Sequence, residues 1–261
     1  MPRVSVVVSH YQRQAELCEA LESIARQSFQ DFEVIVVNDH GVDSRGLVSE
    51  FAARLPGFPP SRVRYDYRAR NGGVAATRNR GIALASGELI AYLDDDDLWR
   101  PRHLERLVAA LDAEPDAALA YGDAAICRME RDPACGAWTA AAQRTLAVPF
   151  DRAALGRDDF IVPGGMLHRR ALIDAVGGYD ESLPVSDDWD WLLRASAVGR
   201  FVRVPEIVIV VRIWADGGNL SARCDGARLA ALAELARRHG LPPLEPKTFW
   251  EVAATYGSAA P

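Results

Sequence analysis

The chain has 261 residues, is 49% hydrophobic and 25% charged, and carries a formal charge of −6, so it can bury a substantial core in one large domain. It has no Lys/Arg-rich block, which excludes a general nucleic-acid binder with a basic face. Cys18, Cys127, Cys135 and Cys224 are widely spaced without a Cys-x-x-Cys pair, so neither a zinc site nor a disulfide framework is signalled.

Val4 to Val8 is too short an apolar run for a signal peptide, and Ile207 to Val211 is too short to span a bilayer. The expectation is a cytoplasmic protein, with peripheral attachment at the inner face of a membrane left open. From Val4 to Leu93, short β-branched runs alternate with helical periodicity. The strand runs are Val4 to Val8, Val34 to Val37, Val63 to Tyr67 and Leu89 to Leu93; between them lie Leu17/Leu21/Ile24, Leu47/Val48/Phe51/Leu55 and Val74 to Leu84. This βαβαβαβ series predicts an α/β fold with a mostly parallel sheet flanked by helices, and with ligands beyond the carboxyl ends of the strands.

The polar residues that follow the strands are therefore expected on one edge: Ser9-His10-Tyr11, Asn38-Asp39, Arg70-Asn71-Gly72-Gly73, and Asp94 to Asp97. The first of these turns, Ser9 to Arg13, has no glycine, which excludes a dinucleotide-binding Gly-x-Gly-x-x-Gly loop.

Four consecutive carboxylates at a strand end repel one another, each close pair by about 4 kcal/mol at an effective dielectric of 20, and call for a cation. Hard oxygens select Mg²⁺ or Mn²⁺, and Mg²⁺ is usually shared with substrate phosphates, which suggests a nucleoside diphosphate ligand. Metal binding is assigned to Asp94 to Asp96. Asp97 stands divided between metal and capping of the helix that runs through Leu104, Leu107, Val108 and Leu111 behind Pro101.

Beyond Pro115 the pattern loosens. A strand over Ala117 to Met129 precedes a Pro/Ala/Gly-rich passage from Asp132 to Pro149 and a turn at Ile161 to Gly165. A helix opens at Ser186-Asp187-Asp188, two strands cover Phe201 to Val204 and Ile207 to Trp214, and an Ala-rich helix covers Ala222 to His239.

In this order, several fragments resemble the family 2 glycosyltransferases of the GT-A fold over positions 3 to 221. They are Val4 to Tyr11, Gln27 to Val34, Val37-Asn38-Asp39, Asn71-Gly72-Gly73 with Ala76 to Gly81, Gly87-Glu88, Asp94 to Asp97 with Pro101, and Gly177 to Glu181 leading to Asp187-Asp188-Trp189-Asp190. The resemblance implies a GT-A (Rossmann-like) sheet with a smaller acceptor-side subregion. It also implies inverting transfer of a sugar from a nucleoside diphosphate donor to a hydroxyl acceptor, with Mn²⁺ or Mg²⁺.

Carried over residue by residue, Asp39 would accept from the imino N–H of uracil or thymine, and Ser9 and Tyr11 would hold the base, Tyr11 by stacking. Asp94 and Asp95 would lie toward ribose and metal, and Asp96 would be the principal metal ligand. Asn71 and Arg78 are further donor-site residues, and His168 is a candidate on the acceptor or diphosphate side. Asp188 matches the catalytic base, with Asp187 as the fallback.

Many relatives carry a histidine near position 214 or 215, where this chain has Trp214; Asp216 or water is the expected replacement as third metal contact. The expected division is a nucleotide-sugar half over 1–114, an acceptor and base half over 115–221, and a helical extension over 222–261. The expected partners are a UDP- or dTDP-sugar and a polysaccharide, lipid-linked or small-molecule acceptor. The rival readings are a non-catalytic nucleotide-binding scaffold and a sugar nucleotidyltransferase.

Overall fold

The computed structural model describes residues 1–55, 59–132, 137–215, 219 and 225–256. Asp216, Cys135, Cys224 and the start of the last Ala-rich segment at Ala222 lie outside the described residues. The first half alternates as its periodicity predicts: β1 (Val4–His10), α1 (Gln14–Ala25), β2 (Phe32–Asn38), α2 (Arg45–Arg54), β3 (Val63–Tyr67), α3 (Gly73–Leu84) and β4 (Leu89–Asp94). There follow β5 (Leu98–Trp99), α4 (His103–Ala113), β6 (Ala117–Arg131), β7 (Trp138–Leu146), α5 (Arg152–Leu155), β8 (Met166–Arg169), α6 (Ala171–Val176), α7 (Asp187–Val198), β9 (Arg200–Trp214), α8 (Gly226–His239) and α9 (Phe249–Tyr256).

One sheet runs in the order β3-β2-β1-β4-β8-β6-β9-β5, with β7 paired to β6. The strands β1 to β4 are mutually parallel, because helical crossovers join them. The order 3-2-1-4 reverses between β1 and β4, which opens a crevice at their carboxyl ends. Beyond β4 the sheet becomes mixed: β8 is antiparallel to both β4 and β6, and β9 is parallel to β6.

Every residue of β1 and β2 is buried, as expected of strands covered on both faces. Leu17, Leu21 and Ile24 of α1 and Leu104, Leu107 and Leu111 of α4 join them in one apolar core. Fully burying such a side chain is worth about 1.5–3 kcal/mol.

Two sequence expectations change. Phe201 to Val204 and Ile207 to Trp214 form one strand, β9, in which Gly122 pairs with Val204 and the next residue, Asp123, pairs with Ile207. The bulge takes up Pro205 and Glu206, where proline lacks the N–H that a regular ladder needs. Within the Pro/Ala/Gly-rich passage, Trp138–Leu146 is a strand, β7, paired with β6.

Candidate active site

A cavity of about 620 Å³ opens where the strand order reverses. Ser9, Tyr11, Asp39, Asn71, Arg78, Asp94, Asp95, Asp96, Asp187 and Asp188 all line it. His168 does not. It is fully buried on β8, with Nε2 2.9 Å from the Tyr92 hydroxyl and Nδ1 2.9 Å from the Arg169 carbonyl, and burial pushes its imidazole down to about 4. It is a neutral core histidine; the apolar strand around it gives it no route to a ligand.

Three non-glycine residues adopt left-handed backbone around this crevice: Gln12 (φ 68°), His40 (φ 64°) and Ser186 (φ 61°). Such conformations cost of order 1 kcal/mol each and persist where the surroundings enforce them. They turn the chain directly after β1, after β2, and into α7.

On the β1/β2 side, Tyr11 is 48% exposed and lines the cavity. The Ser9 hydroxyl is sealed from solvent and has no hydrogen-bond partner. Asp39 forms an ion pair with Arg68 and accepts from Gly72 N at 3.0 Å and Gly73 N at 2.8 Å, so it anchors the turn into α3. Asn71 Nδ2 donates to the Asp39 carbonyl at 3.2 Å.

The four carboxylates at the end of β4 have four different surroundings. Asp94 is held by Arg78 Nη2 at 3.0 Å. Asp95 turns back toward β1, where Oδ2 lies 2.7 Å from His10 Nδ1 and accepts from Tyr11 N at 2.9 Å; burial raises its proton affinity. Through these bonds its carboxylate fixes the base-side loop after β1. Asp96 Oδ2 pairs with Arg13 and accepts from Trp214 Nε1 and Asn219 Nδ2, each at 3.3 Å.

Asp97 does not cap α4, and it lines the cavity beside its three neighbours. It accepts from Arg212 N at 3.1 Å, and burial pushes its carboxyl up to about 7. The helix begins later, at His103, and Gln27 Oε1 takes the orphan Leu104 N–H at 3.0 Å, which removes the need for an aspartate there.

Across the cavity, Ser186 enters α7, and Asp187 and Asp188 occupy its first turn near the positive end of the helix dipole. Asp187 is 2% exposed and lies 3.3 Å from Arg78 Nη1. Burial raises its proton affinity, and the adjacent Asp188 charge adds to this against the pull of Arg78. Asp188 is half-buried, and Oδ1 accepts from Trp189 N at 2.9 Å. Burial opposes the charge on Arg78, but Asp94 and Asp187 outweigh that cost and hold its pKa above the ordinary value.

Sequence reasoning missed the wall beside Asp188. Asp159 lines it, with Oδ1 sealed and unpartnered, and burial raises its proton affinity well above the carboxylate range. Asp158 binds Lys247 Nζ at 2.7 Å and the Tyr256 hydroxyl at 2.9 Å, which brings the segment around α9 to the cavity. No signal in the sequence marks Asp158-Asp159, because their importance arises only when residues 247 to 256 fold back. Nor does the sequence single out Arg13, which stands there only as one residue of the turn after β1.

Among the described residues no group of three or more His, Cys, Asp or Glu is set to hold a metal ion. The donor chemistry nevertheless fits: Asp94 and Asp96 offer hard oxygens at the crevice, and Mg²⁺ needs only one or two protein carboxylates when waters and phosphates complete its shell. No helix among the described residues is long and apolar enough to cross a membrane.

The model of glycosyl transferase family 2 matches residues 5–166. Over 247 residues the chain is 32% identical to the uncharacterized glycosyltransferase YwdF of Bacillus subtilis, covering 95% of this chain and 88% of that protein. The crystal structure of S. aureus TarS 1-349 in complex with UDP-GlcNAc superposes with a TM-score of 0.67 at 18% identity, covering 97% of this chain and 71% of TarS 1-349. Mannosyltransferase PcManGT from Pyrobaculum calidifontis, in complex with GDP-Man and Mn²⁺, gives a TM-score of 0.65 at 20% identity, over 93% of this chain and 66% of that one.

Proposed function

Because the chain belongs to glycosyl transferase family 2 and has the GT-A fold, we propose that it transfers a sugar, with inversion, from a UDP- or dTDP-sugar to a hydroxyl acceptor, using Mg²⁺ or Mn²⁺. One observation carries this reading: a single cavity gathers the base-side residues Ser9, Tyr11 and Asp39, the carboxylates Asp94 and Asp96, and Asp188. The nucleotide sugars bound to TarS and PcManGT, and the Mn²⁺ of the latter, support it.

In this reading Tyr11 stacks on the base and Asp39 accepts from its imino N–H. A carboxylate only accepts; Oδ1 of Asp39 is taken by Arg68 and Gly72 N, so the imino N–H would fall to Oδ2, whose close partner is Gly73 N at 2.8 Å. Asn71 and Arg78 complete the donor side. Asp94 and Asp96 would hold the divalent ion, which when bound supplies charge stabilisation on the departing diphosphate. Asp188 takes the proton of the acceptor hydroxyl as that oxygen attacks the anomeric carbon from the side opposite the diphosphate.

Asp188 is preferred to Asp187 as base because Asp187 is committed to Arg78 and nearly closed off. The acceptor belongs to the hydroxyl-bearing glycans, lipid-linked sugars or small molecules, and the protein acts in the cytoplasm or at the inner membrane face. The proposed division keeps 1–114 for the donor and 115–221 for acceptor and base, but the extension also shares the cavity wall, through Lys247 and Phe249.

Donor hydrolysis tests the reading. Slow, metal-dependent release of nucleoside diphosphate without acceptor, absent in Asp96→Ala, is expected. Nucleotide binding with no release would make the protein a scaffold, and release of pyrophosphate would make it a nucleotidyltransferase.

A further inference from the structure

Asp96 Oδ2 receives three donors of unlike charge and exposure. Trp214 is buried and meets Trp138 edge to face, with ring centroids 4.8 Å apart. Asn219 is fixed by accepting from Trp214 N at 2.7 Å and donating to the Arg212 carbonyl at 2.8 Å. Both are neutral; Trp214 closes β9 and Asn219 is bonded back to its end.

The third donor is Arg13, which projects from the turn after β1 into the cavity with 28% of its side chain exposed. Its neighbour in charge, Arg78, is 3% exposed and clamped between Asp94 and Asp187. Of these two guanidinium groups at the carboxylate cluster, Arg13 is by far the more exposed.

A divalent ion on Asp96 would place two like charges on one carboxylate, so its arrival favours departure of the guanidinium. The turn that carries Arg13 lies at the carboxyl end of β1, on the side of the crevice where a nucleotide is expected. A guanidinium presents a fork of N–H donors that matches phosphate oxygens.

Resting on the nucleotide-sugar reading above, we propose that Arg13 is an exchangeable counter-ion and donor-positioning residue. It neutralises Asp96 until a divalent cation takes that carboxylate, and it then turns to the diphosphate of the donor. Metal and nucleotide binding are thereby linked, each strengthening the other by the same factor.

The test titrates MnCl₂ into the metal-stripped full chain, with free Mn²⁺ followed by electron paramagnetic resonance, and titrates UDP by calorimetry with and without saturating Mn²⁺. Relative to wild type, Arg13→Gln is expected to bind Mn²⁺ about tenfold tighter, and UDP about tenfold weaker when Mn²⁺ is present. Without Mn²⁺ the two proteins should bind UDP equally. Arg13→Lys, which keeps the charge but not the fork, should fall between them, and it decides the matter if thermal unfolding shows the glutamine variant to be misfolded.

Unchanged Mn²⁺ affinity in Arg13→Gln overturns the proposal. So does an equal loss of UDP affinity with and without the metal, which would make Arg13 a plain phosphate contact. A wild-type chain that binds neither Mn²⁺ nor UDP overturns the donor-site reading itself, and the proposal with it. If the wild type takes Mn²⁺ but not UDP, the uridine assignment fails and the Mn²⁺ comparison alone decides on Arg13.

Discussion

Arg78 and Asp187 meet at 3.3 Å, each 3% exposed in its side chain, although 109 positions separate them in sequence. The pair joins α3, on the nucleotide side of the crevice, to the first turn of α7. Removing one partner of a buried pair costs about 3–5 kcal/mol, because the other charge is left without compensation. Arg78→Met is therefore expected to lower the free energy of denaturant unfolding by about that amount, and Asp187→Asn by clearly less, since Arg78 then keeps Asp94 as its partner at 3.0 Å. Equal stability of Arg78→Met and wild type would show that the pair does not bear on folding.

The chemistry predicts a separation of binding from turnover. Asp188→Asn should lower sugar transfer by about 10²–10⁴-fold while leaving nucleotide affinity nearly unchanged, as loss of a general base does. Asp96→Ala should instead abolish the metal-dependent part of nucleotide binding. Calorimetry alongside a nucleoside diphosphate release assay checks both, and parallel loss of binding and transfer in Asp188→Asn would remove that residue from the base role.

Close approach of α3 to β1 depends on Gly81, where an added Cβ would lie 2.2 Å from Val7 Cγ1. Gly81→Ala is expected to destabilise the protein by about 1–3 kcal/mol, the usual cost of overpacking a core. The double variant Gly81→Ala/Val7→Ala should recover part of the loss. Chemical denaturation of the three variants tests this, and additive losses would place the strain elsewhere.

Two buried histidines set an acid limit. Burial pushes His103 down to about 3 and His168 down to about 4, so the folded chain keeps both neutral while the unfolded chain protonates near 6.5. In the window between those values the unfolded state binds more protons, so stability falls as pH falls from about 6.5 and is unaffected by these groups above it. By pH 5 each contributes a loss of roughly 2 kcal/mol. In His103→Phe, which keeps the stacking on Trp99 (ring centroids 4.1 Å apart) and removes the sealed, unpartnered Nε2, the melting temperature should depend less on pH below 6.5. An unaltered acid slope in that variant would refute the assignment.

The β1 to β4 half was legible because each strand is bounded by polar turns and apolar residues recur at helical spacing between them, most plainly Leu17, Leu21 and Ile24 of α1. Leu104, Leu107, Val108 and Leu111 marked α4 in the same way, and all are buried. β7 was hidden, since Ala140, Ala141 and Ala142 carry no β-branched signal and its pairing comes from β6. At the site, residue types announced that charge would gather after β4, but not how it would be shared. That Asp95 serves His10, that Asp97 serves the β9 backbone, and that Asp159 joins Asp188 are all outcomes of long-range folding. His168 misled because an imidazole looks alike in sequence whether it faces a ligand or a tyrosine in the core.

β8, placed between β4 and β6, has a bearing on how the molecule can be handled in the laboratory. A polypeptide cut near position 114 would leave its amino-terminal piece with β4 as a bare border lacking β8, and its carboxyl-terminal piece with β8 lacking β4. Raw borders of that kind recruit whatever backbone is at hand. The two pieces should therefore precipitate when produced apart and reassemble when co-expressed, which makes this junction suited to a split-protein reporter.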